Sequence, residues 1–323
     1  MYLNYAINSY DEQFYFSFSV KLAIENCLFT CFEDKIPPEE RFSRDRKTQI
    51  KPWKSEIEVI GDSNLKIKPF ISFEQCQEIA ITNDGHLILL VSDGTSYKYE
   101  DAKWNEFNQV PGLSPKHSDM KAVTLPDGMH LFGCSKYNFL PNGSSQWIDK
   151  KLENVYADTA APMVEVPGNK IVTIPATNYF DQFEILDTES VEWSKVPAGR
   201  YRPIGAIIGY FKGKLFMTGG MTVMDESGLR YNMISGKTLV YSLPDFTAVE
   251  GPDLNVPRHM HGMGIIRVGG APKLIAFGGV GDDKNELDSI EEWDEEQQQW
   301  KMSTMKMSEP NACFSYCFKS VVN

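Results

Sequence analysis

The chain has 323 residues, of which 42% are hydrophobic and 24% charged, with 24 Gly, 18 Pro and 12% aromatic side chains. This length buries a sizeable core, as two ordinary domains or one large all-β domain, and the glycine, proline and aromatic content favours strands joined by many turns. The formal net charge of −12 repels phosphate backbones and argues against nucleic acid as a partner.

No stretch reaches the roughly 18 apolar residues that a membrane helix needs. The most apolar one, residues 14–32, is broken by Lys21, Glu25 and Asn26, so no membrane span is expected. The first residues show no basic segment followed by an apolar one, so no leader is expected either. Six cysteines are few for this length and predict reduced thiols in a cytoplasmic setting.

In chain order, residues 13–20, 26–32, 55–60 and 65–70 read as N-terminal strands. A recurring set of four short strands follows. The first set is 77–82 (QEIAIT), 86–94 (HLILLVSDG), 95–100 (TSYKYE) and 104–107 (WNEF). The second is 120–126 (MKAVTLP), 129–134 (MHLFGC), 145–149 (SQWID) and 153–158 (ENVYAD). The third is 161–166, 170–175, 182–187 and 191–196, and the fourth is 205–212, 214–220 (KLFMTGG), 237–242 and 247–254. The fifth is 261–268, 273–279 (KLIAFGG), 288–293 and 299–304, after which 311–319 (NACFSYCFK) reads as one more strand.

Repeated four-stranded antiparallel units bury both faces by stacking on one another, and closing them into a ring protects their edges. Gly219-Gly220 and Gly278-Gly279 mark sharp turns after the second strand, where only glycine takes a positive φ without cost. The run 282–296 holds nine acids and one lysine and reads as a solvated outer edge that discourages edge-to-edge pairing.

This motif set resembles the kelch repeat: an apolar run into Gly-Gly, a further strand, a hydrophobic-Asp pair, and a tryptophan shortly after. Trp293-Asp294 with Trp300 and Leu186-Asp187 with Trp193 fit that spacing. The resemblance covers residues 56–310, with Ser92-Asp93-Gly94, Gly133-Cys134 and Ala176-Thr177 standing where other units would carry Gly-Gly. Trp293-Asp294 is the chain's one Trp-Asp pair, which argues against the rival WD repeat.

The implied fold is an all-β, six-bladed kelch-type β-propeller over residues 1–323. Five complete blades are expected over about 72–306, and a closing blade from about 13–70 joined to 311–319. Trp104, Trp193 and Trp300 are expected to be buried between blades. Pairing of the two chain ends is expected to gather Cys27, Cys31, Cys313 and Cys317, with one cross-terminal pair within disulfide reach.

Two successive units carry similar loops before their first strand, residues 198–203 (AGRYRP) and 256–261 (VPRHMH). Kelch proteins resemble one another in binding peptides with such loops, often through an arginine. The resemblance therefore implies a partner-binding set of Tyr201, Arg202, Arg258, His259 and His261, and arginine and aromatic residues are usual interface anchors. A structural role remains open beside it, with the arginines bonding backbone carbonyls of a neighbouring blade.

The function expected is a non-enzymatic protein-protein interaction module, usable as a substrate-recognition scaffold, that takes a peptide or protein at the propeller mouth. The alternative is a propeller enzyme of the copper oxidase or sugar isomerase class with its site on the central axis. His259 and His261 offer two ligands and no third nearby, so no metal, catalytic group or cofactor is expected.

Overall fold

The most apolar strand of each unit is its second, and it is buried on both faces. Leu87, Ile88, Leu89 and Leu90 are essentially inaccessible, as are Leu215, Phe216, Met217 and Thr218, and Leu274, Ile275, Ala276 and Phe277. Such strands require a sheet packed on each side. The computed structural model supplies that arrangement. It describes residues 28–32, 56–60, 66–67, 76–91, 93–100, 103–113, 120–133, 136–150, 162–174, 182–198, 203, 205–222, 233–268, 271–283, 285–307, 310 and 315–318. The side chains of 28–32, 56–60, 66–67, 76–77, 222, 268 and 315–318 are outside that description.

Five four-stranded antiparallel sheets follow the chain. The first blade is Cys76–Ile81, Leu87–Val91, Thr95–Glu100 and Lys103–Gln109. The second is Met120–Leu125, Gly128–Gly133, Lys136–Pro141 and Ile148–Lys150. The third is Met163–Val166, Lys170–Thr173, Gln182–Asp187 and Glu192–Pro197. The fourth is Ile207–Phe211, Lys214–Thr218, Thr238–Ser242 and Thr247–Gly251, and the fifth is Gly262–Val268, Ala271–Phe277, Ser289–Asp294 and Gln299–Lys306. The first strand of each blade lies beside that of the next, and Ser315–Phe318 lies between the first strands of the fifth and first blades. The sheets stand in a closed ring, a β-propeller.

Ser315–Phe318 also begins a further sheet, in the order Ser315–Phe318, Leu28–Phe32, Glu56–Ile60, Lys66–Ile67, so the two ends of the chain pair. The expectation of six blades is corrected here to five blades and this closing sheet. Its outermost strand has two residues, too few for a full ladder, and residues 13–20 lie outside the described residues.

Within the closing sheet, Cys31 stands opposite Ser315 and Cys317 opposite Phe29. The two cysteines hold diagonal positions, at about 7–8 Å between Cα atoms, beyond the usual disulfide range of about 4.4–6.8 Å. Cys27 and Cys313 lie outside the described residues.

Apolar clusters fill the gaps between blades. Ile88, Leu90, Leu131 and Trp147 join the first to the second, and Phe132, Tyr137, Ile171 and Leu186 the second to the third. Val172, Phe183, Leu215 and Tyr241 join the third to the fourth, and Phe216, Val240, Leu274, Trp293 and Trp300 the fourth to the fifth. Trp104 and Trp300 are buried as expected, at 6% and 3% exposure. Trp193 is a correction: it is only half-buried, its ring edge-on to Phe132 at 6.4 Å.

The second blade holds another correction. Its third strand is Lys136–Pro141, not 145–149, and Trp147 leads into its fourth strand. Lys136–Pro141 begins on a lysine, ends on a proline and buries Asn138 at its centre, so its pattern does not read as a core strand. Trp147 fills the role that Trp300 fills in the fifth blade. Its indole N–H donates to Ser96 Oγ at 3.4 Å, and that of Trp300 to Thr238 Oγ1 at 3.0 Å. A small hairpin, Met221–Thr222 with Met233–Ile234, is inserted in the fourth blade and left no strand signal in the sequence.

Candidate functional site

The loops that enter each first strand share one end of the ring with the loops that join second to third strands. This end is the mouth. In the fifth blade the entering loop is built around Arg258, which is fully buried. Its Nη2 donates to Glu291 Oε1 at 2.9 Å and Ser289 Oγ at 3.1 Å. Its Nη1 donates to the carbonyls of Gly278 and Ser289 at 2.9 and 3.1 Å, and its Nε to that of Val256 at 3.3 Å.

Glu291 is equally buried and completes the set. Its Oε1 accepts the Val256 N–H at 3.0 Å, and its Oε2 accepts the Asn255 N–H at 2.7 Å and side-chain amide at 2.8 Å. Burial pulls the Arg258 pKa down from its usual value and the Glu291 carboxylate holds it up; a guanidinium stays charged throughout. Arg258 is therefore removed from the expected partner-binding set. Its own blade provides the carboxylate that consumes it, within an acidic run whose other members suggested a solvated edge.

His261 is also withdrawn from the surface, at 2% exposure. Its Nε2 meets Thr218 Oγ1 at 2.9 Å, and its ring lies against Gly219, where an added Cβ would stand 2.7 Å from the ring Cε1. Gly279 would meet the His261 Cβ at 2.7 Å. Both glycines also hold positive φ, +67° and +91°, so the paired glycines are demanded by conformation and by close approach.

Burial, with the positive charge of Arg258 and a further push from His259, holds the His261 pKa well below its usual value. The unfolded chain takes up this proton below about pH 6.5, whereas the native chain does so only at lower pH. Stability is thus full above that pH and falls as the solution is acidified through the window beneath it. Unfolding titrations between neutral pH and pH 5 should show that slope, and it should be shallower in His261→Gln.

The fourth- and fifth-blade loops are braced together by backbone bonds. Gly220 N donates to Arg258 O at 2.9 Å, Arg258 N to Ser235 O at 3.3 Å, and Ser235 N to Gly220 O at 2.8 Å. Met260 N donates to Gly205 O at 2.9 Å, and His259 exchanges two bonds with Val280, at 3.1 and 3.0 Å. What this frame presents outward is Met260, at 42% exposure with a left-handed φ of +52°, Met233 at 63% exposure, and the half-buried His259. The two methionines carried no sequence signal, since single methionines in loops follow no pattern.

Tyr201 and Arg202 lie outside the described residues. The fourth blade has Leu239 where the fifth has Glu291: the two residues stand opposite Met217 and Ala276, each three places after a lysine that starts or lies within the second strand. The fourth blade thus supplies no carboxylate at that place.

At the opposite end a cleft of about 150 Å³ opens between the first and second blades, floored by Ile88, Met129 and Leu140 and rimmed by Asp84, His86 and Lys98. Among the described residues no three of His, Cys, Asp and Glu are grouped to hold a metal ion, and no helix is long and apolar enough to cross a membrane. No protein-family model matches the chain, and no curated protein matches its sequence.

Proposed function

We propose that this β-propeller is a kelch-type protein-interaction module of the cytoplasm, which takes a peptide or protein partner at the mouth. The observation that carries this reading is the braced pair of loops holding Met233 and Met260 outward. Loops ordered before binding lose little entropy on association, and methionine adapts its shape to a partner.

Two further points support it. Positive φ at Gly219, Gly220, Gly278 and Gly279 agrees with the kelch-like reading of both Gly-Gly turns. Leu239 leaves the fourth blade without the internal carboxylate that consumes Arg258, so Tyr201 and Arg202 remain the arginine-aromatic anchors that the resemblance implies for a partner.

A photoreactive amino acid placed at 233 or 260 should crosslink the partner. Binding of that partner should weaken by about 1–3 kcal/mol in Arg202→Ala and in Met260→Ala, with the unfolding midpoint unchanged. Equal affinity of both variants and the unaltered chain would rule out the mouth as the site.

A further inference from the structure

The described methionines include two sharply different classes. Met120, Met129, Met217, Met263 and Met307 are buried, at 3% exposure or less. Met233, Met260 and Met302 stand at 63%, 42% and 50%. The first two are at the mouth, and Met302 is on the fourth strand of the fifth blade, the strand farthest from the ring's centre.

The frame fixes the mouth pair in place. Met260 N donates to Gly205 O, and the neighbouring His259 exchanges bonds with Val280, so the backbone does not draw the side chain inward. The Met260 Cγ lies over Gly205, 3.4 Å from where a Cβ would stand there. A left-handed φ at a residue other than glycine persists only where the surroundings over-determine it. Met233 pairs with Thr222 in the small hairpin. Met233 and Met260 each stand two places from the bond that joins Ser235 O to Arg258 N across the two loops. Leucine would present as much apolar surface at either place, but only the thioether adds a sulfur lone pair that a peroxide can oxidise.

We propose that the mouth is a site of reversible oxidation, in which a peroxide converts Met233 and Met260 to their sulfoxides and thereby weakens the hold on a partner. The weakening rests on the mouth reading above; the oxidation does not. With hydrogen peroxide, a sulfur lone pair attacks one oxygen and an S–O bond forms as the O–O bond breaks. The sulfur gives up two electrons, and the departing oxygen takes the remaining proton of the transferred one and leaves as water. Hydrogen peroxide is uncharged, so the net charge of −12 does not hinder its approach. The sulfoxide is polar and chiral, and its oxygen must lose water or find a donor when a partner covers it. Methionine sulfoxide reductases remove the oxygen again, one enzyme for each epimer.

The full chain is treated with hydrogen peroxide at neutral pH, and sulfoxide at each methionine is followed by peptide mass spectrometry. Met233 and Met260 should react about tenfold or more faster than Met217 and Met263, whose sulfurs meet peroxide only when the core opens. The unfolding midpoint should not change, and the two reductases with dithiothreitol should restore both thioethers. The partner that crosslinks at 233 or 260 should bind the oxidised chain about tenfold more weakly. A Met233→Leu/Met260→Leu chain, in which Met302 is still oxidised, should bind it equally before and after peroxide. Rates at 233 and 260 no faster than at 217 and 263 would overturn the oxidation. Binding that ignores peroxide, or that stays sensitive in the double variant, would overturn its consequence. Where no partner crosslinks, the consequence falls with the mouth reading, and the rates still decide the oxidation.

Discussion

Arg258→Ala is expected to lower the unfolding free energy by about 3–5 kcal/mol. The side chain is wholly buried, uses its guanidinium donors on Glu291, Ser289, Gly278 and Val256, and is the only cation facing the buried Glu291 among the bonds that glutamate makes. Removing it leaves a buried carboxylate without its counter-ion and takes a donor from the carbonyls of Gly278, Ser289 and Val256. Glu291→Ala should cost a similar amount by stranding the guanidinium and the N–H groups of Asn255 and Val256. A joint replacement, Arg258→Met with Glu291→Leu, should recover much of either loss, since an apolar pair of similar volume avoids desolvating two charges. Urea unfolding of the four proteins reads the cycle. A loss under about 1 kcal/mol in Arg258→Ala would mean that the pair behaves as an exposed one and that the loop is held by its backbone bonds alone.

Trp300→Ala should cost about 3–5 kcal/mol. The indole is 3% exposed, packs edge-on to Trp293 at 5.4 Å and to Phe216 at 6.5 Å, and bonds across the blade boundary to Thr238. Trp300→Phe keeps most of the apolar contact and gives up the hydrogen bond, so its cost should be nearer 1 kcal/mol. Trp193→Ala should cost clearly less than Trp300→Ala because Trp193 is only partly buried. Equal losses at 193 and 300 in thermal or urea unfolding would contradict the burial difference between the two blade boundaries.

The mouth itself was only partly legible in the sequence. The loop 256–261 was found because an arginine and two histidines stand together before a strand, and the loop does lie at the mouth. Among the described members of the set, His259 is the one that stays partly exposed there. Arg258 and His261 turned inward because of Glu291 and Thr218, residues far along the chain that no local pattern connects to them. Met233 and Met260 were missed for the converse reason, since their exposure is a result of the frame and not of their own chemistry.

By itself the sequence determined the order of strands in the first, third, fourth and fifth blades, the glycine turns at 219–220 and 278–279, and the joining of the N-terminal region to the C-terminal strand. Each of these rests on forces felt over a few residues: alternating apolar side chains, a positive φ that excludes a Cβ, and an amphipathic tail needing a neighbour. Only the tertiary structure decided that Lys136–Pro141 pairs as a strand, that Trp193 stays half-exposed, that the closing sheet ends in a two-residue strand, and that Arg258 is spent on Glu291. Those outcomes depend on which faces the ring brings together and how much water it leaves between them. A charge is solvated or buried according to its neighbours in space, and for Arg258 that neighbour is 33 residues away along the chain.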